Sequence, residues 1–189
     1  MRTLLLALLT FAALAARADT VEIDDVKYEP TVGVAGKELR LNGAATRRNP
    51  QGVRNFAVAV YLQAPAKTAE ALLAAPGPKR IGFKFLRTVQ ADALRFLTQS
   101  VQGNVERADF VKTFIGVMQL GELLGGRSGF VEGDSFSMDY RPGTGTVFLI
   151  NGKPQGQPVK EPEFFKAMLL IWLGPRPVDP RMKTGLLAG

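Results

Sequence analysis

The sequence predicts an α+β domain in which one curved antiparallel sheet is covered by a layer of helices. Alternation of apolar residues with smaller or polar ones predicts strands at 21–26, 38–42, 56–62, 79–89, 136–140 and 146–150. Apolar residues at helical spacing predict the main helices at 92–101, 109–124 and 161–173. Strands at both ends of the chain with helices between them are typical of this class.

The first residues have the pattern of a secretory signal peptide. Arg2 supplies a positive charge, residues 4–15 form an apolar run, and Ala16-Arg17-Ala18 is a small-x-small cleavage site. The apolar run is shorter than the ~20 residues that a membrane-spanning helix needs. We therefore expect a signal peptide at 1–18, a single domain at 19–189 and a periplasmic protein. An uncleaved N-terminal anchor is the alternative.

The composition excludes several kinds of site. The chain has no His and no Cys, so it has no Ser–His–Asp triad, no thiol nucleophile and no His-ligated metal site. Asp24 and Asp25 are adjacent in a predicted strand, where their carboxylates point to opposite faces. We expect no metal and no cofactor. The formal charge is +7, but the basic residues are scattered among acidic ones, which favours solvated surfaces over a nucleic-acid partner.

The segment 41–63 is the part of the chain around which we expect the domain to be organised. Residues 56–62 alternate between bulky and smaller side chains, which predicts a strand buried on both faces. Asn42-Gly43 is a turn signal, and the bend that follows carries Arg47 and Arg48. These two arginines lie either at the mouth of an apolar interior or in a solvated surface hairpin.

The segment 79–89 predicts a second strong strand, with Ile81, Phe83 and Phe85 on one face. Arg87 continues that face, so it lies either next to a ligand or in solvent at the end of the strand. Between the two strands, Thr68 has the position of an N-cap for a short helix that ends before Pro76.

The second half of the chain combines helices with further strands. The helix at 109–124 carries an apolar stripe that predicts a core face, made of Phe110, Phe114, Val117 and Leu120. Asn151-Gly152 after the strand 146–150 predicts a type I′ hairpin. Pro162 has the position of a first helical residue, and Gly174-Pro175 ends that helix.

Several segments, in their order and spacing, carry a family resemblance. They are LNGAATR (41–47), AVAVYL (57–62), GFKFLRTV (82–89), EGDSFSMDYRPGTGTVFLINGK (132–153) and FFKAMLLIWLG (164–174), followed by Leu186-Leu187. Together they resemble the chalcone isomerase-like proteins, in their bacterial secreted branch. The resemblance implies an open-faced β-sandwich, a large antiparallel sheet with helices packed on one face.

The resemblance also implies two alternative activities. Enzymes of this family cyclise a chalcone to a flavanone, whereas related proteins bind fatty acids and place an arginine at the carboxylate. That arginine matches Arg47, or Arg48 if the alignment is shifted by one residue. The enzymes have a threonine, and the fatty-acid binders a tyrosine, at the position that matches Phe56 or its neighbour Ala57.

The enzymes' helix tyrosine and asparagine match positions near Leu94 and Val101, which cannot donate hydrogen bonds. Cyclisation needs donors at the developing oxyanion. We therefore expect a non-catalytic protein that binds a small apolar anion such as a fatty acid, or a flavonoid-like ligand. An active isomerase and a ligand-free envelope protein with a protein partner are the alternatives. The predicted ligand-binding residues are Arg47, Arg48, Phe56, Tyr61 and Arg87.

Overall fold

A large antiparallel sheet is the centre of the molecule. The computed structural model describes residues 20–91 and 95–189. Its strands are β1 (Val21–Ile23), β2 (Val26–Tyr28), β3 (Thr31–Val34), β4 (Lys37–Arg48), β5 (Arg54–Leu62), β6 (Lys79–Phe85), β7 (Val89–Gln90), β8 (Gly129–Phe130), β9 (Ser135–Arg141), β10 (Gly145–Ile150) and β11 (Lys153–Val159). Its helices are α1 (Ala69–Ala74), α2 (Phe96–Asn104), α3 (Arg107–Gly125), α4 (Pro162–Leu173) and α5 (Pro180–Leu186). Across the described residues, the main sheet has the strand order β11-β10-β9-β6-β5-β4-β3.

The helices cover one face of this sheet. The main core lies between them and contains side chains from both layers, among them Val58, Phe83, Phe136, Leu120 and Trp172. A smaller apolar cluster covers part of the opposite face, where Val26 and Tyr28 of the β1–β2 hairpin pack on Ala59 and Tyr61 of β5. The fold is therefore the predicted α+β architecture, an open-faced β-sandwich with a large antiparallel sheet.

Strand β5 has the burial that its sequence predicts. Every residue from Phe56 to Leu62 is buried. Phe56, Val58, Val60 and Leu62 face the helices. The second cluster contains the two small residues Ala57 and Ala59 and also the bulky Tyr61. Because β5 pairs with both β4 and β6, it lies inside the sheet.

The predicted turn at Asn42-Gly43 is wrong. Strand β4 continues through both residues with a register shift between Leu41 and Gly43, and the chain turns only after Arg48. Two tertiary contacts explain the difference. The Asn42 side-chain amide forms hydrogen bonds with the backbone of Ala66 and Leu186. A Cβ at position 43 would clash with the backbone of α5. Arg47 and Arg48 therefore end a strand and do not lie in a bend.

The N-terminal strand prediction also needs a correction. Residues 21–28 form a hairpin of two short strands, because Asp24 and Asp25 both have positive φ, 53° and 56°. Such values at both central residues define a type I′ turn, which Asp tolerates. The two carboxylates therefore lie in a turn. Strand β3, which the sequence pattern did not predict, follows this hairpin.

Helices α2, α3 and α4 lie close to the predicted ranges, and one predicted core residue of α3 is exposed. Helix α3 buries Thr113, Gly116 and Leu120, whereas Phe114 of the predicted core stripe is 55% exposed. Helix α4 begins at Pro162 as predicted. Helix α5 was not predicted. Among the described residues, no helix is long and apolar enough to cross a membrane.

The predicted signal peptide at 1–18 and the predicted helix start at Asp92 lie outside the described residues. Leu94 lies outside them as well.

Candidate functional site

Arg47 and Phe56 face the helices from directly opposite positions on β4 and β5. Side chains of such a cross-strand pair lie on the same face of a sheet. Phe56 is 2% exposed, and its ring centroid lies 6.4 Å from that of Trp172 and 6.1 Å from that of Phe96. Arg47 therefore lies at the edge of an apolar interior. We call Arg47, Phe56, Phe96, Trp172 and Asp179 the Arg47 cluster.

Asp179 holds the guanidinium of Arg47. The Arg47 Nη1 donates to Asp179 Oδ2 at 3.2 Å, and the Arg47 side chain remains 32% exposed. Asp179 is the N-cap of α5 and accepts a hydrogen bond from the Arg181 backbone N–H. Since Asp179 is 4% exposed, the contact fixes the position of Arg47 against the first turn of α5.

A second arginine shares the same carboxylate. Arg181 donates to Asp179 from Nε at 3.1 Å and from Nη2 at 2.9 Å. The hydrogen bonds from Arg181 are the main reason why the pKa of Asp179 is held below its usual value, and Arg47 adds to the effect. Two guanidiniums therefore face one carboxylate, which leaves a net positive charge. A guanidinium has five N–H donors, so Arg47 retains donors for an additional anion.

Trp172 brings a hydrogen-bond donor into the apolar interior. The side chain is fully buried, and its Nε1–H has no acceptor among the described residues. Its ring meets Phe56 and Phe96 edge to face, with interplanar angles of 80° and 81°. A buried donor without an acceptor costs about 1–3 kcal/mol. An oxygen atom of a ligand or a water molecule would remove this cost.

Trp172 and Asp179 are not among the site residues predicted from the sequence. The sequence contained a signal for Trp172, because it is the single tryptophan of the chain and lies in the apolar run 167–173. Asp179 precedes Pro180 at a helix start, which is an N-cap pattern. Its pairing with Arg47, 132 positions earlier, has no sequence signal.

Arg48 does not join the Arg47 cluster. Its Nη2 donates to Asp24 Oδ1 at 2.6 Å, and its Nη1 donates to the Gly52 carbonyl at 3.1 Å. The register shift between Arg47 and Arg48 accompanies this change of direction. Arg48 therefore ties the β4–β5 turn to the β1–β2 hairpin.

Tyr61 lies on the other side of the sheet from the Arg47 cluster. It packs in the second apolar cluster, and it pairs across strands with Leu41 and Arg80. Burial is the main cause that raises the pKa of Tyr61 to about 12, so its phenol is protonated at neutral pH. The structure does not bring Tyr61 to Arg47.

Arg87 is exposed and lies in a bend after β6, which ends at Phe85. The structure therefore does not bring Arg87 to the Arg47 cluster either. Val101, near which the family resemblance predicts a polar residue of the enzymes, is fully buried in the main core on α2. Phe56 and Val101 thus contribute apolar walls to the main core.

Comparisons with known proteins agree with this architecture. A family model described as chalcone isomerase-like matches residues 20–188. The chain is similar to the crystal structure of a fatty-acid binding protein from Arabidopsis thaliana, with a TM-score of 0.70 and 14% sequence identity, over 90% of this chain and 96% of that one. No curated protein matches the sequence. A family match over most of the described residues, together with the shared fold, places the chain in the chalcone isomerase-like family.

Proposed function

We propose that this protein is an exported, non-catalytic carrier or sensor of a small apolar anion, of which a fatty acid is the best candidate. The observation that carries the proposal is the charge balance of the Arg47 cluster, where Arg47 and Arg181 share the single carboxylate of Asp179 at the edge of an apolar interior. The carboxylate of the ligand would bind the free N–H groups of Arg47. The Trp172 Nε1–H, which has no acceptor in the described part of the chain, offers a further donor.

The energetics favour a ligand with a long apolar part. Burying an acyl chain yields about 0.8 kcal/mol for each CH₂ group, whereas one hydrogen bond to a charged group contributes about 1.5–3 kcal/mol. The acyl chain would therefore supply most of the affinity, and Arg47 would fix the orientation of the ligand. The similarity to a fatty-acid binding protein supports this choice of ligand.

The apolar side chains at the enzyme positions support a non-catalytic role. Loss of one oxyanion donor typically lowers kcat by about 10²–10³-fold, and Phe56 and Val101 cannot replace such donors. We expect no acceleration of the ring closure of 2′-hydroxychalcone above the spontaneous rate. A measurable acceleration that disappears in Arg47→Ala would instead establish an isomerase.

The N-terminal pattern of Arg2, the apolar run and Ala16-Arg17-Ala18 supports export to the periplasm. N-terminal sequencing of protein recovered from the periplasmic fraction tests this part of the proposal. A mature N-terminus at Asp19 is expected. An intact N-terminus in the membrane fraction would instead favour the alternative of an uncleaved N-terminal anchor.

Trp172 provides a direct optical test of ligand binding, because it is the single tryptophan of the chain and lies in the proposed site. We expect delipidated protein to bind cis-parinaric acid, with energy transfer from Trp172, and hexadecanoate to displace it. Arg47→Ala should weaken binding by about 10- to 100-fold, because it removes a charge-assisted hydrogen bond. Asp179 keeps its contacts with Arg181 in this variant, so α5 stays capped.

Arg48→Ala is the matched control. It removes an arginine side chain at the neighbouring position. That side chain contacts Asp24, on the other side of the sheet. Unchanged affinity is expected. Equal affinities of the two variants, or a wild-type protein that binds no fatty acid, would contradict the proposal.

A further inference from the structure

A separate cavity lies at the other end of the interface between sheet and helices. It has a volume of about 280 Å³ and lies between α1, α4 and the paired strands β6 and β9. Lys79 begins β6, whereas Phe85, which pairs with Phe56 of the Arg47 cluster, ends it. Six residues of strand span about 20 Å. We call this cavity the Lys79 pocket.

Lys79 brings a positive charge into this pocket. The residue is 7% exposed, and among the described residues no carboxylate lies within salt-bridge distance of its Nζ. Its Nζ lies 5.4 Å from the centre of the Tyr140 ring. Burial lowers the pKa of Lys79, and no nearby acid opposes the effect. Within the described ranges, the ammonium therefore has no anionic partner.

The walls of the pocket are apolar. Leu73 from α1 and Phe165 and Leu169 from α4 face Lys79, and the rings of Tyr140 and Phe165 lie 5.6 Å apart. The acidic residue at the pocket, Glu163, already binds Lys112 at 3.1 Å. The other lysine at the pocket, Lys166, is exposed and adds positive charge at the entrance.

A carboxylate with a short apolar tail matches this chemistry. An ammonium that has lost part of its hydration gains from an opposite charge at short range. The tail would cover the rings of Tyr140 and Phe165 and the side chain of Leu169. The volume lies just below the usual range of small-molecule sites, about 300–1,000 Å³, which limits the ligand to a short chain.

We propose that the Lys79 pocket binds a short-chain monocarboxylate, with the carboxylate at Lys79 Nζ and the tail against Tyr140 and Phe165. The site is independent of the Arg47 cluster, because it uses other side chains at the opposite end of β6. It would let the protein respond to a small acid separately from a long-chain ligand.

Calorimetric titration of wild-type protein with hexanoate tests the proposal, with hexan-1-ol as the uncharged probe of equal chain length. Lys79→Met keeps the length of the side chain and removes its charge. We expect this variant to bind hexanoate at least about tenfold more weakly, which corresponds to about 1.4 kcal/mol. It should fold at least as well as the wild type, since it removes a charge that is largely buried.

Two variants serve as controls. Lys84→Met removes an exposed lysine from the opposite face of the same strand, and its affinity for hexanoate should equal that of the wild type. Arg47→Ala removes the cation of the other proposed site and so reports any hexanoate that binds there, and its loss of hexanoate affinity should be smaller than that of Lys79→Met. If Arg47→Ala abolishes hexanoate binding and Lys79→Met does not, the ligand lies at the Arg47 cluster and the Lys79 proposal is wrong, while the proposed function stands.

Chemical labelling gives a second readout. Limited acetylation followed by peptide mass spectrometry should show that hexanoate protects Lys79 and not Lys84, and that hexan-1-ol protects neither. The proposal is overturned if wild-type protein binds no hexanoate, if hexan-1-ol binds as tightly as hexanoate, or if hexanoate leaves the acetylation of Lys79 unchanged.

Discussion

Asn42 shows how one side chain can change the local structure that its sequence favours. Its amide Nδ2 donates to the carbonyls of Ala66 at 3.0 Å and Leu186 at 2.8 Å, and its Oδ1 accepts from the Ala66 N–H at 2.7 Å. The side chain is 3% exposed. One residue thus joins β4, the segment before α1 and the end of α5. These contacts outweigh the turn preference of Asn-Gly.

Asn42→Ala is expected to lower the free energy of unfolding by about 2–4 kcal/mol, because it leaves several buried backbone groups without partners. Urea denaturation followed by circular dichroism measures the change. Asn49→Ala is the matched control, since Asn49 makes one exposed hydrogen bond, to the Val53 N–H, and should cost less than about 1 kcal/mol. Similar losses in the two variants would contradict the role given to Asn42.

At the scale of the element, α3 shows why an apolar stripe predicted the buried face only in part. Phe110, Val117 and Leu120 pack against the main core, whereas Phe114 is exposed. The helix packs through Gly116, where an added Cβ would clash with the ring of Phe164 and with Val159. This close approach selects the face that contains Thr113 and Leu120. Phe114 is turned outward as a result. Small residues can define a helix contact because they let the elements approach each other.

Two glycines of α3 allow a matched test. Gly116→Ala should destabilise the protein by about 1–3 kcal/mol, because the methyl group overpacks the contact with α4 and β11. At Gly121 an added Cβ meets nothing within 4 Å. Gly121→Ala should therefore stabilise the protein by roughly 0.5–1 kcal/mol through helix propensity. Thermal unfolding of both variants measures the difference, and a stabilising Gly116→Ala would show that the contact is loose.

At the scale of the whole molecule, the fold joins charges that are distant in sequence. Arg47 comes from the end of β4, and Asp179 and Arg181 come from the start of α5 near the C-terminus. Helix α5 packs along β4 and ends at the Asn42 contact. The last segment of the chain therefore completes the candidate ligand site.

Asp179→Asn should strengthen the binding of a long-chain carboxylate, because it raises the net charge of this group of three residues from one to two positive charges. Asparagine caps a helix about as well as aspartate, so α5 should remain in place. Titration with cis-parinaric acid measures the effect, for which we expect a gain of about 3- to 10-fold. Asp25→Asn, at a side chain that is 82% exposed, should leave the affinity unchanged. Weaker binding by Asp179→Asn would mean that Asp179 orients Arg47 more than it competes with the ligand.

Asp179 also makes the stability of the fold depend on pH. The pKa of Asp179 is lowered in the folded state. The ionised carboxylate therefore stabilises the fold fully at pH values above the unfolded carboxyl pKa of about 3.9. This stabilisation is lost as the pH falls through the lower pKa of the folded state. Unfolding experiments between pH 5 and pH 2 should therefore show a smaller loss of stability in Asp179→Asn than in the wild type.

The sequence by itself determined the features that depend on neighbouring residues. Thr68 caps α1 through its side chain, Pro162 begins α4, and Asn151-Gly152 forms a turn with positive φ at both residues. In each case the chemistry of a few consecutive residues fixes the backbone. The alternation along β5 also separates Phe56 from Tyr61, so the sequence already contained the information that these two residues face opposite sides.

The tertiary structure alone decided which groups meet at the site. Three features depend on contacts between elements that are distant in the chain: the hydrogen bond between Arg47 and Asp179, the position of Trp172 beside Phe56 and the burial of Lys79. Local preferences fix strands, turns and caps, because they act on the φ and ψ angles of adjacent residues. Partners across the core are fixed only when packing sets the distance and orientation of whole elements.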